Sequence, residues 1–478
     1  MNNNNVYDLV IIGSGPGGYI SAIRASQLGL RTAIIEKYKK LGGTCLNVGC
    51  IPSKSLLDSS KYFSLAKNHY YSHGIFFEKL FFDFQKMMNR KNEIIKNMNN
   101  GIQFLMKKNK IDLYEGIASF KTKNILSISR KERKSLQKKQ EIQFKYCIIS
   151  TGSKPLCLPN LNFKNKIISS TEALSLKEIP HKIIIIGGGI IGLELGSIFN
   201  RLGSKIIIIE GQDQIISNMD YSLSQGIKKI LEKSSIQIET SLVITNILEE
   251  KEENNQKISI YTKNKNDKKI KFTGDYCLLS IGRKPYTKNL ELENIGIKKD
   301  KRGFILVNRS LQSNVKNIYA IGDVIGGKML AHKAEEEGLY VVEHIVGQKP
   351  NKLNYNLIPS IIYTYPEVAS VGYTENQIQK EKIEYNVGTC PMKILGRAHT
   401  SGCIEGFLKM ISNKKTDEIL GVHIIGDNAE NIIMEASVAM EFRSSSEDIY
   451  RICHPHPTFS ESFKEAALLC FENRSLHM

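Results

Sequence analysis

The sequence predicts an α/β protein containing two Rossmann-like units, the second inserted in the first. Two observations predict it: a pattern of strand, glycine turn, helix, strand and acid occurs twice, and each copy is left by an apolar strand that ends at a glycine. In the first copy Val6 to Ile12 is a near-continuous apolar run that stops at Gly13-Ser14-Gly15-Pro16-Gly17-Gly18. A helix-like stretch follows through Leu28 and Gly29, and Ala33-Ile34-Ile35-Glu36 reads as the second strand. Gly13 makes a tight turn, Gly15 lets backbone N–H groups approach a pyrophosphate, and Gly18 lets helix and strand pack closely. Glu36 lies 36 − 13 = 23 positions beyond the first glycine, a distance that suits a carboxylate bonding a ribose hydroxyl.

The second copy runs from the strand Lys182 to Ile186 through Gly187-Gly188-Gly189-Ile190-Ile191-Gly192 to the strand Ile206 to Glu210. Gly187, Gly189 and Gly192 take the three glycine positions, and again 210 − 187 = 23. One such fingerprint is weak; two in full context predict two dinucleotide sites in one chain. Cys147 to Pro155, containing Thr151 and Gly152, reads as the strand leaving the first unit, and Tyr276 to Pro285, containing Gly282 and Arg283, as the strand leaving the second. Amphipathic helices are expected from Ser55 to Lys67 and from Phe84 to Lys108, and solvated hairpin loops in the polar stretches Arg130 to Glu141 and Glu249 to Lys271.

Between the first acid and the first of those helices lies Gly42-Gly-Thr-Cys-Leu-Asn-Val-Gly-Cys-Ile-Pro-Ser-Lys54, which sets Cys45 and Cys50 close together. A close thiol pair beside a nucleotide site suggests disulfide redox chemistry. Metal binding is the rival, but zinc usually needs a second short-spaced Cys or His pair, and the other seven of the nine cysteines are scattered singly; no metal site is expected.

Composition bounds the rest. At 478 residues the chain has room for about three domains. The longest apolar stretch, Ile183 to Leu195, is broken by four glycines and carries Glu194, so no membrane span is expected. The opening Met-Asn-Asn-Asn-Asn-Val has neither a basic nor an apolar segment, and an odd cysteine count without framework spacing fits a reducing compartment, so the chain reads as cytoplasmic. The net charge of +18 is spread along the chain and interleaved with Glu and Asn, and with no Trp it reads as a coding bias toward Lys, Asn and Ile; nucleic-acid binding is not expected.

With these motifs in hand, the chain resembles the pyridine nucleotide-disulfide oxidoreductases over nearly its whole length. The resemblance rests on Gly42 to Lys54, on Asn317-Ile-Tyr-Ala-Ile-Gly-Asp-Val324, Ala331-His-Lys-Ala-Glu-Glu-Glu-Gly338 and Tyr365-Pro-Glu-Val-Ala-Ser-Val-Gly-Tyr-Thr-Glu375, and on His454-Pro-His-Pro-Thr-Phe-Ser-Glu461. The first and last are highly specific, and together they look most like the branch of the family that oxidises dihydrolipoamide. The resemblance implies an FAD-binding segment over 1–150, an NAD-binding domain over 151–277, a second FAD-binding or central segment over 278–349 and an α+β dimerisation domain over 350–478.

It implies roles as well. FAD would be held by the first unit with Gly13, Gly15, Gly18, Glu36 and Asp323, and NAD by Gly187, Gly189, Gly192 and Glu210, with Thr44, Lys54, Thr151, Gly152, Gly282, Arg283, Ala331 and His332 as further cofactor-binding residues. Cys45 and Cys50 would be the redox disulfide, His456 the base, oriented by Glu461 and serving the other subunit of a homodimer, and Lys54 would pair with Glu194 near the flavin. His454 would be a structural neighbour, and Pro455 stands where related chains commonly carry Ala. Read locally, Thr458-x-x-Glu461 is instead a helix capping box, in which Glu461 bonds its own helix. The bond before Pro457 is a candidate for cis. A carboxylate at 210, followed by Gly-Gln-Asp-Gln without arginine, favours NAD over NADP and weakens the NADPH-dependent disulfide reductases as an alternative. The partner implied is a lipoyl-bearing acyltransferase or glycine cleavage carrier protein. A non-catalytic flavoprotein scaffold is the remaining alternative, against which the intact Cys45, Cys50, His456 and Glu461 argue.

Overall fold

The computed structural model describes residues 6–129, 139–159, 161–252 and 255–477. The expectations for residues 1–5 and for most of the 130–141 stretch lie outside the described residues. The chain divides into two compact units, one of residues 1–55, 88–156 and 282–353, the other of 56–87, 157–281 and 354–478.

The first unit opens with β1 (Val6–Ile12), α1 (Pro16–Gln27) and β2 (Thr32–Glu36), followed by α2 (Gly43–Val48), α3 (Cys50–Asn68), which runs on into the second unit, and α4 (Phe84–Lys108). Strands β3 (Asp112–Glu115), β4 (Ile117–Thr122), β5 (Ile125–Ser129), β6 (Lys139–Ile149) and β7 (Ser153–Pro155) follow. The sheet order is β3-β2-β1-β6-β5-β4, with β1 parallel to β2 and β6. Its centre is covered on both faces: Val10 and Ile12 enter one core cluster, Leu9 and Ile11 another, which is why β1 is continuously apolar rather than alternating.

The second unit takes over with β8 (Ile167–Ile168), α5 (Ser170–Ala173), β9 (Lys182–Ile186), α6 (Ile190–Arg201), β10 (Lys205–Ile209), α7 (Tyr221–Lys233) and β11 (Ile236–Glu239). Strands β12 (Val243–Glu252), β13 (Asn255–Lys263), β14 (Lys269–Gly274) and β15 (Tyr276–Leu279) complete this stretch. The parallel order β11-β10-β9-β15-β8 repeats the architecture of the first sheet around β9. The 249–271 stretch corrects the loop expectation: most of it belongs to the antiparallel sheet β12-β13-β14. Ile258, Ile260 and Phe272 are buried there, so a period of two was present beneath the charge.

The chain returns to the first unit through β16 (Arg283–Pro285), β17 (Ile318–Ala320) and α8 (Ala331–Ile345). Strand β17 adds to the first sheet beside β6, which makes the second nucleotide unit an insertion in the first. The remainder is α+β: β18 (Ser360–Ile362), β19 (Glu367–Gly372), α9 (Glu375–Glu381), β20 (Tyr385–Pro391), α10 (Gly396–Ser401), β21 (Phe407–Asn413) and β22 (Ile419–Gly426), then α11 (Ala429–Glu441), α12 (Ser446–Arg451) and α13 (Glu461–Glu472). Its antiparallel sheet has the order β18-β19-β22-β21-β20. Among the described residues no helix is long and apolar enough to cross a membrane.

Candidate active site

The two glycine turns are built alike. A Cβ on Gly18 would stand 1.9 Å from the Gly13 carbonyl oxygen, and one on Gly192 2.3 Å from that of Gly187. The third glycine of each turn is thus required by backbone-to-backbone approach. Gly13 and Gly187 turn the chain at φ of +100° and +105°. A Cβ on Gly15 or Gly189 would meet nothing within 4 Å, so the middle glycines face open space.

Helices α1 and α6 start at those middle glycines with no capping side chain and no acid in the first turn. By contrast Asp220, Thr374 and Ser445 cap α7, α9 and α12. Leading N–H groups without a side-chain cap beside open space are what a pyrophosphate requires.

The strand-end acids close each turn. Glu36 accepts from the Ser14 N–H (3.0 Å) and hydroxyl (2.7 Å) and from the Tyr38 N–H (3.0 Å). Glu210 accepts from the Gly188 N–H (2.7 Å) and the Gln212 N–H (2.9 Å). Glu36 also lines a cavity of about 640 Å³ with Tyr38, Lys39, Phe104, Lys107 and Tyr114 among its walls. Next to it, sequence reasoning missed a stack: Lys37 Nζ lies 3.5 Å and Lys154 Nζ 4.1 Å from the Tyr286 ring centroid. Burial and the neighbouring Lys154 push Lys37 down to about 8.

Cys45 lies on α2 and Cys50 is the first residue of α3, five residues earlier than the expected helix start at Ser55. The thiols are hydrogen-bonded to each other, and that bond, with burial, holds the Cys45 thiol far above its ordinary value, while Lys54 on α3 pulls the other way. Cys50 stands where the partial positive charge of a helix N-terminus favours an anion. Thr44 is exposed on α2.

The exit strands meet in β16 and β7, which pair antiparallel. Arg283 there donates Nε to the Ser153 hydroxyl (2.7 Å) and Nη2 to its carbonyl (3.0 Å), and lies 3.9 Å from the Asp323 carboxylate. Ser153, whose hydroxyl also bonds Asp323, is a linking residue the sequence did not single out. The Thr151 hydroxyl is tied to the Tyr286 carbonyl (2.7 Å), and Gly152 and Gly282 both have positive φ with open space where a Cβ would stand. Asp323 is presented on a short turn whose Gly322 N–H donates to Glu337 (2.7 Å). Glu337 in turn pairs with Lys333 (2.9 Å), both buried on α8, and Lys333 also donates to the Gly326 carbonyl (3.1 Å). The i, i+4 spacing inside 331–338 was the available signal. Ala331 is the first residue of α8 and His332 the next, both half-buried. In the second unit Glu194 is buried on α6 and accepts the Tyr363 N–H (3.1 Å).

His456 is exposed, and its Nδ1 donates to Glu461 Oε1 (2.7 Å); Glu461 Oε2 accepts the Thr458 N–H (2.8 Å). The capping-box expectation is corrected: α13 begins at Glu461 itself, with Ser460 as N-cap and no side-chain cap, so Glu461 Oε2 holds the preceding loop at Thr458, whose hydroxyl goes to the Pro455 carbonyl (2.7 Å). Burial raises the Glu461 carboxyl, but the His456 and Thr458 hydrogen bonds and the charges of His456 and His477 hold it below the carboxylate range. His454 is buried against Glu435 (2.9 Å), which pushes its imidazole up. The His456-Pro457 bond is cis, and so, unanticipated, is Tyr365-Pro366. Among the described residues no group of three or more His, Cys, Asp or Glu side chains is placed to hold a metal ion.

The profile described as "Pyridine nucleotide-disulphide oxidoreductase" matches residues 7–338, and that of the same family's dimerisation domain matches 358–467. The chain belongs to this family. Its relatives include the protein named dihydrolipoyl dehydrogenase 2, mitochondrial, of Arabidopsis thaliana, 43% identical over 98% of this chain and 91% of that one. The protein named dihydrolipoyl dehydrogenase of Cupriavidus necator is 42% identical over 99% of both. Among solved structures, the Cu(II) complex of the HOCl-induced flavoprotein disulfide reductase RclA from Escherichia coli superposes with a TM-score of 0.86 at 27% identity, over 97% of this chain and 99% of that one. As a pyridine nucleotide-disulfide oxidoreductase the chain uses FAD and NAD(H), and the two glycine turns, each with open space at its middle glycine, fit two such dinucleotides.

Proposed function

We propose that this chain is an NAD-dependent dihydrolipoyl dehydrogenase: it oxidises protein-bound dihydrolipoamide to lipoamide and reduces NAD to NADH, releasing one proton. The observation that carries the chemistry is the contact between the Cys45 and Cys50 thiols at the start of α3, between a glycine cradle and a helix N-terminus. The names of relatives at 42–43% identity over nearly the whole chain support the substrate.

In this reading Cys45 and Cys50 cycle between disulfide and dithiol. A substrate thiolate attacks Cys45 Sγ, the Cys45–Cys50 bond breaks with its electron pair on Cys50, and the second substrate thiol closes lipoamide by displacing Cys45 as a thiolate, which takes up that thiol's proton. His456 Nε2 takes the proton of the attacking thiol, because Nδ1 is committed to Glu461, which fixes the tautomer and stabilises the imidazolium. Bound FAD supplies a two-electron relay from the dithiol to NAD. Lys54 lends positive charge beside the thiols. Glu210, with Gln212 donating its N–H and no arginine nearby in sequence, accepts from a free ribose 2′-hydroxyl and repels a 2′-phosphate.

The chain would act as a homodimer, receiving its substrate on a lipoyl-bearing acyltransferase or glycine cleavage carrier protein. A reducing compartment, the cytoplasm, suits an odd count of nine cysteines of which seven are scattered singly. The test compares NAD reduction by dihydrolipoamide with NADPH-driven reduction of glutathione disulfide on purified protein. The first should dominate, and NAD should exceed NADP in kcat/KM by about a hundredfold, roughly 2.8 kcal/mol. Equal use of the two cofactors, or preferred reduction of glutathione disulfide, refutes the reading.

A further inference from the structure

Asp323 sits on the short turn Gly322–Ile325, and a buried ion pair on one face of α8 ties down both ends of that turn. Glu337 divides its oxygens: Oε2 accepts the Gly322 N–H (2.7 Å) and Oε1 pairs with Lys333 Nζ (2.9 Å) one helical turn earlier. Lys333 Nζ donates in turn to the Gly326 carbonyl (3.1 Å), just past the other end. The two side chains are 2% and 0% exposed. Ion pairs buried this deeply often add no net stability over apolar side chains of similar volume, so a role is to be sought in the geometry they impose.

That geometry falls on the most mobile points of the turn. Gly322 and Gly326 hold φ of +73° and +82°, and a glycine samples more backbone conformations than any other residue. Each hydrogen bond from the pair therefore pins one glycine hinge. Midway the Val324 carbonyl accepts the Ile305 N–H (3.0 Å), while the Asp323 side chain is aimed separately, by the Ser153 hydroxyl and by Arg283 at 3.9 Å. Helix α8 is itself seated on α1. A Cβ on Gly338 would stand 2.9 Å from the Gly17 carbonyl oxygen and 2.3 Å from Ser21 Oγ, and one on Gly17 2.8 Å from the Ala334 carbonyl oxygen. One helix thus meets both the helix that starts at the first glycine turn and the turn that presents Asp323.

We propose that Lys333 and Glu337 are positioning residues for FAD, a two-ended clamp that holds the glycine-hinged turn, and with it Asp323, in register with the glycine turn of α1. The inference rests on Asp323 being a ligand of FAD. With the clamp removed the turn populates its binding arrangement only part of the time, and the apparent dissociation constant of FAD rises by the inverse of that fraction.

The experiment equilibrates diluted, purified holoenzyme and measures the FAD that passes an ultrafiltration membrane, which gives the dissociation constant; the visible circular dichroism of the bound flavin is recorded beside it. Lys333→Met with Glu337→Leu removes both ties without leaving an unpaired buried charge. Lys333→Met with Glu337→Gln keeps an amide oxygen for the Gly322 N–H. Phe120→Leu, in the buried core at β4, controls for destabilisation alone.

The dissociation constant should rise about tenfold or more in the Lys333→Met/Glu337→Leu protein and less in the Lys333→Met/Glu337→Gln protein, with the flavin dichroism altered in the same order. Phe120→Leu should keep the parent's constant. A parental constant and parental dichroism in the Lys333→Met/Glu337→Leu protein overturn the clamp, and so does a rise that Phe120→Leu shares in full. If the Lys333→Met/Glu337→Leu protein fails to fold, the Lys333→Met/Glu337→Gln protein is read by the same criterion. Asp323→Ala separates the two claims. A parental constant in Asp323→Ala refutes Asp323 as a ligand and the clamp's role with it; loss of FAD in Asp323→Ala beside an unaffected Lys333→Met/Glu337→Leu protein refutes the clamp alone.

Discussion

Glycines at neighbouring positions of one turn separate folding from binding at the scale of single residues. Gly18→Ala drives a methyl to 1.9 Å from the Gly13 carbonyl oxygen, backbone against backbone, with no side chain able to give way. Gly15→Ala meets nothing within 4 Å and lies in the space proposed for the pyrophosphate of FAD. The expected outcome is that Gly18→Ala is destabilised by about 3 kcal/mol or more and fails to accumulate folded, a cost at the upper end of overpacking. Gly15→Ala should purify folded, with the far-ultraviolet spectrum of the parent, and lose most of its FAD. A Gly15→Ala protein that keeps FAD stoichiometrically would show that the open space is not the cofactor's. This contrast was legible in the sequence, since the fingerprint assigns Gly15 to the pyrophosphate and Gly18 to close packing; what it does not give is that the atom Gly18 approaches is the Gly13 carbonyl oxygen of the same turn. Glu461 shows a limit of local sequence: Thr458-x-x-Glu461 reads as a capping box, whereas the helix starts at Glu461 and its two oxygens bond His456 and the Thr458 N–H ahead of it.

Among elements, a buried cluster ties the N-terminus of α7 to the antiparallel sheet of residues 360–426. Asp220 caps α7 by accepting the Ser222 N–H (3.0 Å), and it also accepts Lys409 Nζ of β21 (2.9 Å) and the Glu375 N–H of α9 (2.9 Å). His423 of β22 lies against the same carboxylate (3.7 Å), with Nδ1 on the Ser370 hydroxyl (2.9 Å) and Nε2 on the Tyr373 carbonyl (3.1 Å). Burial outweighs Asp220 and pushes the His423 imidazole down from 6.5 to about 4, while Asp220, despite its burial, is held below the carboxylate range by His423, Ser222, Glu375 and Lys409. The unfolded chain therefore takes up a proton on His423 below pH 6.5 that the folded chain refuses until about pH 4. Stability from this group is complete above pH 6.5 and falls as pH drops toward 4, by roughly 3 kcal/mol in all. Denaturant melts between pH 7 and pH 4.5 should show that loss in the parent and a flatter slope in His423→Asn; identical slopes would remove His423 from the acid response. None of this was legible beforehand, because Asp220, Glu375, Lys409 and His423 come from four separated elements and nothing local marks any of them. The elements themselves were legible where an apolar run bounded by glycine marked a strand, as in β1 and β9, or where the helical period held, as in α4. The charged strands β12 to β14 were misread because exposed Lys and Glu on one face masked the buried Ile258, Ile260 and Phe272 on the other.

At the scale of the whole molecule, the stretch after residue 357 presents exposed apolar surface among the described residues. Met434, Val438 and Phe442, spaced by four along and just beyond α11, are 50%, 54% and 80% exposed, and residues 358–467 match the family's dimerisation domain. An exposed helical stripe of this kind suits association with a second copy, and closed two-fold symmetry is the commonest way to bury it. His456 lies in the same stretch and is 72% exposed on its side chain, an unusual situation for a base that must work in a dry site, and one that a second subunit would change. In the proposed shared site the thiol pair and the base belong to different copies, so Cys45→Ser and His456→Gln should each be inactive with dihydrolipoamide yet complement each other. In a mixture at full subunit exchange half of the dimers are mixed, and each of those joins the intact thiols of one chain to the intact histidine of the other at one of its two sites. Activity should return to about one quarter of the parent's per subunit, since one half of the dimers carry one half of their sites intact. Exchange is verified by native mass spectrometry of differently tagged chains. Complete exchange with no returning activity would place the base and the thiols it serves in one subunit and overturn the shared site.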